Sequence, residues 1–478
     1  MTGPHNSGHI LAIDQGGHAT RALVFDDQGN IVGRSEVPVH TQRYPGDRVE
    51  LDPEAIIDSV FECVQSALDG LDASLVVTAG LATQRSTVVC WDRRTGEPLS
   101  PVLSWQDRRA ATWLEAFQAD QPRIHAATGL VVSPHYGASK LAWCLENLPE
   151  VSRALESGNL AWGPLSSFIL FRTLNERPHL ADPANASRTL LWDLETRDWS
   201  GQMLDLFGLP SEPLPTCVPS RHSYGTLAIP GAESIPLELC TGDQSAALFA
   251  GGWPDPDTVY LNMGTGAFLQ RASDSLPSPV PGLLRGVVFQ DESATVYVTE
   301  GTVNGAGSAL ALRADELGLS PEQWKAQAPA WLDSDMDPPL YLNGVSGLGS
   351  PYWAPRYATE SVGEGSADAQ MLAVLESIVF LVQVNLESMT GRGGATSRLV
   401  VTGGLSKLDG LCQKVADLSG ISVSRPELHE ATASGTARLL GLKVPVDASS
   451  QSPVFVPQGN PALSRRYAHW RSLLESRL

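Results

Sequence analysis

Two carboxylates stand where chemistry would need them. Asp14 ends the apolar run Ile10-Leu11-Ala12-Ile13, and one residue later the chain turns at Gly16-Gly17. A carboxylate there has the oxygen ligand that a hard divalent cation takes; the plainer alternative is an Asx-turn residue. Asp243, in Thr241-Gly242-Asp243-Gln244, is placed to cap a helix beginning at Gln244. The same position lets a carboxylate accept a proton from an alcohol attacking phosphorus. Glycine turns follow apolar strands at Gly16-Gly17, Gly264-Thr265-Gly266 and Gly403-Gly404. Glycine lets main-chain N–H groups approach an anion and form a concave nest for phosphate. A single such turn is ordinary strand geometry, but the recurrence shifts the expectation toward nucleotide binding. There is no GxxxxGK[ST] loop and no GxGxxG on a strand-to-helix turn with an acidic partner. That excludes a Walker-type ATPase and an evident dinucleotide enzyme.

The elements that must position these groups form two halves of similar layout. In the first, strand Ile10–Ile13 turns into Arg21–Phe25, and Asp27-Gln28-Gly29-Asn30 turns the chain into Ile31-Val32. Asp52 then caps a helix with Pro53 in its first turn, and Ile56, Val60, Cys63 and Ala67 share one face. Leu75-Val76-Val77 is a further strand, and Ser86 to Trp91 opens a hairpin through Arg93-Arg94-Thr95-Gly96. In the second half, Val259–Met263 turns into Ala267–Gln270, and Thr295–Val298 ends at Glu300-Gly301. A long helix spans Ser366 to Met389, strand Leu399–Thr402 runs into Gly403, and Leu463, Tyr467, Trp470 and Leu474 stripe a closing helix. The halves share no obvious sequence repeat. Gly251 to Pro256 breaks any helix between them, and the domains are expected at 1–247 and 248–478.

Composition narrows the class. The chain has 478 residues, 42% hydrophobic and 18% charged, and a net charge of −20 from 33 basic and 53 acidic side chains. Such a field repels nucleic acid and anionic membranes at long range, so neither is an expected partner. The six cysteines include no CxxC pair and are read as buried, reduced thiols rather than a zinc site. The polar N-terminus is unlike a signal peptide, and no apolar run of membrane-spanning length is evident. A cytoplasmic location is expected.

The chain also resembles the FGGY carbohydrate kinases, and among them the glycerol kinases. Asp14-Gln15-Gly16 with Arg21 resembles the family's first phosphate motif, and Thr83-Gln84-Arg85-Ser86 through Asp92 its substrate strand. Trp105 to Arg109, Ser139 to Trp143, Asn185 to Thr189, Gly242-Asp243-Gln244 and Gly264-Thr265-Gly266 with Phe268 follow in family order. Gly347 to Trp353, Leu375 to Ile378 and Gly403-Gly404 complete a series covering nearly the whole chain. The resemblance implies an α/β fold of two ribonuclease-H-like domains, as in the actin and sugar-kinase superfamily, with the active site in the interdomain cleft. It implies a kinase using ATP and Mg²⁺, a small sugar or polyol as partner, and a homodimer as the assembly to test. Asp243 would be the general base and Asp14 would position Mg²⁺. Arg85, Ser86, Trp105, His135, Gln244 and Phe268 would line the substrate pocket. Gly16, Gly17, His18, Arg21, Gly264, Thr265, Gly307 and Gly404 would lie along the nucleotide.

The departures are equally informative. Glycerol kinases carry a glutamate where this chain has Ser86 and a tyrosine where it has His135. Two hydroxyl-binding groups differ, so the expected substrate is a larger polyol or a ketose rather than glycerol. The first loop reads Gly16-Gly17-His18 where the family has Gly-Thr-Thr or Gly-Thr-Ser, leaving His18, or Thr20 shifted inward, as substitute donor. Leu408 and Ala311 replace an asparagine and a glutamine near the adenine. A rival from another class is a non-catalytic sugar or nucleotide sensor on a kinase fold, motivated by Gly17-His18. An actin-like filament or chaperone module is disfavoured, because Arg85, Trp105 and Gln244 form a polyol-type set with no use there.

Overall fold

The computed structural model describes residues 8–390, 396–427, 430–443 and 452–478. Its first sheet orders the strands Arg221–Thr226, Pro236–Gly242, Val76–Thr83, His9–Gln15, Ala19–Phe25 and Ile31–Pro38. Its second orders Leu284–Gln290, Thr295–Val303, Ala267–Ser273, Thr258–Met263, Arg398–Thr402, Ser422–Ser424 and Val454–Phe455. Each sheet is built around an antiparallel hairpin, His9–Gln15 with Ala19–Phe25 in one and Thr258–Met263 with Ala267–Ser273 in the other. In each, the first hairpin strand pairs in parallel with a strand from much later in the chain. The second hairpin strand pairs antiparallel with a third. The two halves therefore share a topology that their sequences do not display as a repeat.

Local chemistry explains the elements. Asp52 accepts from Glu54 N at 2.9 Å, so helix Pro53–Leu68 starts where expected and buries Ile56, Val60, Cys63 and Ala67. Leu75 belongs to a short 3₁₀ turn, and the strand begins at Val76. Helix Ala367–Thr390 is long and apolar enough to cross a membrane by length and composition, contrary to the expectation that no segment would be. Most of its side chains are buried in the second core, which accounts for that apolarity. Leu463, Tyr467, Trp470 and Leu474 are all buried on helix Pro461–Glu475. The cysteines are all free thiols, five of them buried and Cys217 half-buried.

An insert in the first lobe supplies a second, five-stranded sheet ordered Gln42–Tyr44, Arg48–Leu51, Val102–Leu103, Val88–Asp92 and Leu160–Pro164. Its hairpin between Val88–Asp92 and Val102–Leu103 matches the expected one. Late in the chain, helix Ala431–Leu439 returns to the first lobe and packs Ala433 and Ala437 against Ile10, Ala12, Leu23 and Phe25. Gly435 permits this: a Cβ there would lie 1.8 Å from Ala246 O. Packing thus does not follow a simple cut in the sequence.

Candidate active site

Register brings the charged groups together. Strand Val76–Thr83 lies between His9–Gln15 and Pro236–Gly242 and runs parallel to both. Thr83 is level with Gln15 on one side and Gly242 on the other, so Asp14, Arg85 and Asp243 emerge at one sheet edge. Behind them, Asp182 caps helix Pro183–Ala186 and accepts from Asn185 Nδ2 at 2.8 Å. Cys240 Sγ donates to Asp182 Oδ1 at 3.4 Å, and Thr83 Oγ1 donates to Asn185 Oδ1, also at 3.4 Å. Burial pushes the Asp182 carboxyl up to about 6.

Asp14 is buried, and burial, reinforced by the charge of Asp243, pushes its carboxyl up to about 7 against the opposing pull of Arg21. Arg21 sits opposite Asp14 across the hairpin and pairs with Glu36 at 2.9 Å. Burial also raises the Asp243 carboxyl, with Arg85 acting against it. Asp243 is not the helix cap expected from sequence. Gly242 occupies the cap in extended backbone, and Asp243 opens the short helix Asp243–Ala247, accepting from Gln244 N at 2.6 Å. Two adjacent carboxylates that both resist ionisation suit a divalent cation that takes oxygen ligands from one or two carboxylates and from substrate phosphates. Among the described residues there is no cluster of three or more His, Cys, Asp or Glu for a wholly protein-made metal cage.

Arg85 is the hub of a second group of side chains. Its stem lies over Gly242, where a Cβ would come within 2.5 Å of Arg85 Cγ and Cδ. Its guanidinium donates to Gln244 Oε1 and, at 3.2 Å, to Glu300 Oε1 of the second lobe. Ser86 has φ +63°, and its buried Oγ has no hydrogen-bond partner. The buried Lys140 donates to Ser86 O and to His135 O, both at 2.8 Å, which fixes the two positions that depart from the glycerol kinases. The His135 ring meets Trp105 edge-on at 5.5 Å between centroids. Burial, then the cations Lys140 and Arg188, drive His135 well below its ordinary value, so it is neutral. A Cβ at Gly17 would lie 4.0 Å from Trp105 Nε1, which places the first glycine turn against the same wall. Phe268 is half-buried on the opposing sheet.

The second-lobe turns gather at one end of their sheet. Gly307 N donates to Gly264 O at 3.0 Å, and the amides of Ala306 and Ser308 donate to Thr265 O. A Cβ on Gly307 would meet Gly264 O at 2.7 Å, and one on Gly403, which has φ +89°, would meet Met263 O at 2.5 Å. Two of the glycine amides close their own turns: Gly16 N donates to Ala19 O and Gly264 N to Gly266 O. His18 and Thr265 are the exposed apices, and Gly404 is exposed beside Gly403. Thr20 has not shifted inward, because its buried hydroxyl is bonded to Ser59 Oγ at 2.7 Å. Ala311 is exposed on helix Gly307–Glu316, and Leu408 packs at the start of helix Asp409–Ser419.

The residues brought together include some that sequence reasoning did not assign. Glu300 was expected at a strand end, yet the strand runs on to Val303 with Glu300 buried inside it. Its charge is tolerated there because Arg85, Arg188 and Gln270 all donate to it. Lys140 and Arg188 lay within recognised motifs without a stated role. A charged residue embedded in an apolar run, as in Val296-Tyr297-Val298-Thr299-Glu300, is the signal that would have flagged Glu300.

Comparison with known proteins places the chain in a family. The chain is 33% identical to a glycerol kinase of Alcanivorax borkumensis over 97% of each chain. Its fold matches that of a Plasmodium falciparum glycerol kinase solved with ADP, with TM-score 0.89 at 24% identity and 98% of each chain covered. A xylulose kinase from Rhodospirillum rubrum gives TM-score 0.84 at 19% identity, again over 98% of each chain. The N-terminal domain of the FGGY family of carbohydrate kinases matches residues 9–250 and its C-terminal domain residues 259–443, and the chain belongs to that family.

Proposed function

We propose that the protein transfers the terminal phosphoryl group of ATP to a hydroxyl of a small polyol or sugar, and that glycerol is not its preferred acceptor. The observation that carries this is the grouping of Asp14, Arg85 and Asp243 at one sheet edge, with Arg85 bonded to Gln244 and to Glu300 of the facing lobe. Phosphoryl transfer asks little covalent chemistry of a protein. It asks for positioning and for neutralisation of charge.

In this scheme Arg85 and Gln244 hold acceptor hydroxyls, while Trp105, His135 and Phe268 cover its carbon atoms. Asp243 takes the proton from the attacking hydroxyl, and its raised affinity for protons suits that step. The turns apexed by His18 and Thr265, with Gly16, Gly17, Gly264 and Gly307 shaping them, bracket the phosphates, and Arg21 steadies the charge of Asp14. Gly404 lies along the nucleotide. Mg²⁺ would be held by Asp14 and by phosphate oxygens, and it would supply charge neutralisation on the phosphates. Residues 1–247 and 248–478 act as the two jaws, with the returning helix Ala431–Leu439 packed under the first. The free cysteines and the acidic surface support a cytoplasmic location, and a homodimer remains the assembly to test.

Ser86 and His135 support an acceptor other than glycerol. A buried, unpartnered hydroxyl and a neutral imidazole stand where glycerol kinases place a carboxylate and a phenol. The decisive experiment measures ADP release with Mg-ATP across glycerol, erythritol, xylitol, D-xylulose and gluconate. Turnover is expected with one of the longer acceptors at a kcat/KM at least tenfold above glycerol. Micromolar KM for glycerol overturns the acceptor assignment. Nucleotide binding without turnover of any acceptor overturns the kinase assignment in favour of a sensor.

A further inference from the structure

Arg85 is held by two acceptors, Gln244 in its own lobe and the carboxylate of Glu300 in the other. Strands Ala267–Ser273 and Thr295–Val303 are antiparallel, with Gln270 directly opposite Glu300. Side chains on a strand alternate faces, so Phe268, Gln270 and Glu300 lie on one face of that sheet. Gln270 Nε2 donates to Glu300 Oε1 at 2.7 Å, and Arg188 Nη2 donates to Oε2. Gly286 makes room for that second arginine, since a Cβ there would lie 3.3 Å from Arg188 Nη2. Burial alone would raise the Glu300 carboxyl, yet Arg188 and Arg85, with the Gln270 bond, hold it down at about 2.

A charge pinned in this way is a fixed acceptor. Arg85 Nη1 points to it, while Nη2 goes to Gln244, the neighbour of Asp243. The long arginine side chain loses most of its rotamer freedom before any acceptor arrives, which lowers the entropic cost of hydroxyl recognition. We propose that Glu300 is a positioning residue: from the second lobe it sets the guanidinium of Arg85 for the acceptor hydroxyls. The inference rests on the substrate role given to Arg85 above.

The test uses Glu300→Gln, Glu300→Asp, Arg85→Ala and the double variant Arg85→Ala/Glu300→Gln, assayed by ADP release with whichever acceptor of the panel the wild type uses best. For Glu300→Gln, KM for the acceptor is expected to rise about 30-fold, with KM for ATP within twofold of wild type. In the Arg85→Ala background the same change should alter acceptor KM less than twofold, because the group it positions is gone. Glu300→Asp, which keeps the charge and guards against loss of folding, should give an intermediate rise at near-wild-type melting temperature. A lowered melting temperature with unchanged acceptor KM, or equal effects in both backgrounds, makes Glu300 interlobe glue and overturns the proposal. If wild type uses no acceptor, the site assignment itself has failed. Glu300 is then judged by a crystal structure of Glu300→Gln: an Arg85 guanidinium parted from Gln244 supports positioning, and one left in place refutes it.

Discussion

The two lobes share a strand topology and end it in different residues. The first lobe ends its central strands in charge: Asp14, Arg85 and Asp243 stand side by side because neighbouring parallel strands are in register. The second lobe ends its equivalent strands in glycine turns: a Cβ on Gly403 would meet Met263 O at 2.5 Å and one on Gly307, at the start of the next helix, would meet Gly264 O at 2.7 Å. One scaffold thus yields an end lined by charged side chains and an end shaped by glycine turns, which in the proposed scheme serve the acceptor with the cation and the phosphates respectively. Side-chain identity matters most in the first lobe, and backbone shape in the second.

Substitutions should separate these two modes. The largest effect is expected for Asp243→Asn, which keeps the bond to Gln244 N but removes the proton acceptor. General-base removal costs about 10³-fold in kcat, and KM for ATP should stay near wild type in steady-state assays. A loss below tenfold would place the base elsewhere.

Asp14 gives a second test, read without turnover. Its proton affinity is higher folded than unfolded, since the carboxyl stands at about 7 against an ordinary 3.8. The folded protein therefore binds the extra proton between those values, and its stability falls as pH rises through that window. Asp14→Asn removes the penalty. In metal-free buffer the variant should be more stable than wild type by roughly 2 kcal/mol at pH 8, about half of what three pKa units imply. At about pH 2.5, where Asp14 is almost wholly protonated folded or not, the two should melt together. Activity with Mg-ATP should nevertheless fall by about 10²-fold, as expected when a group that places charge is lost.

The sequence revealed one of these lobes more fully than the other. Asp14 stood out because a carboxylate ending an apolar strand is a local pattern, Asp243 because a carboxylate at a helix start is another, and Asp52 announced its helix through capping chemistry alone. Their convergence was not local: it depends on Thr83 being level with Gln15 and Gly242, across more than a hundred residues of chain. Glu300 was misplaced to a strand end because a glutamate beside a glycine looks like one, and two arginines from the other lobe together with Gln270 make it tolerable inside a strand. The glycine turns were recognised, but the direction of their amides was not. Whether Gly264 N faces a phosphate or closes on Gly266 O depends on backbone geometry that residue type leaves open. Gly435 gave no signal at all, since its reason is the carbonyl of Ala246 on a helix from the other half.

Adjacent glycines in the second lobe sharpen the contrast at smaller magnitude. Gly403 has φ +89° and Met263 O in the way, so Gly403→Ala should cost about 2 kcal/mol in denaturant unfolding and raise KM for ATP. For Gly404 nothing lies within 4 Å of the added methyl. Gly404→Ala should leave stability within about 0.5 kcal/mol, and any rise in KM for ATP would then report nucleotide contact alone. Equal losses of stability would show that the pair is mere strand-end geometry.

The smallest expected effect concerns acceptor choice. The proposed acceptor wall of the first lobe rests on Lys140, whose side-chain nitrogen holds the carbonyls of Ser86 and His135 and thereby fixes both backbones whatever side chains they carry. Ser86→Glu with His135→Tyr restores the glycerol kinase pair on an unchanged frame. The new carboxylate would enter a neighbourhood already holding Arg85, Arg188 and Lys140, cations that add to burial in keeping His135 neutral, so its own burial is compensated. One added hydroxyl contact is worth about 1 kcal/mol. KM for glycerol should accordingly fall about fivefold, and KM for the longer acceptor should rise as the tyrosine fills its space. If glycerol KM instead stays fixed while the protein keeps its melting temperature, these two side chains do not set acceptor size. Selectivity would then belong to the second-lobe face that carries Phe268 and Glu300.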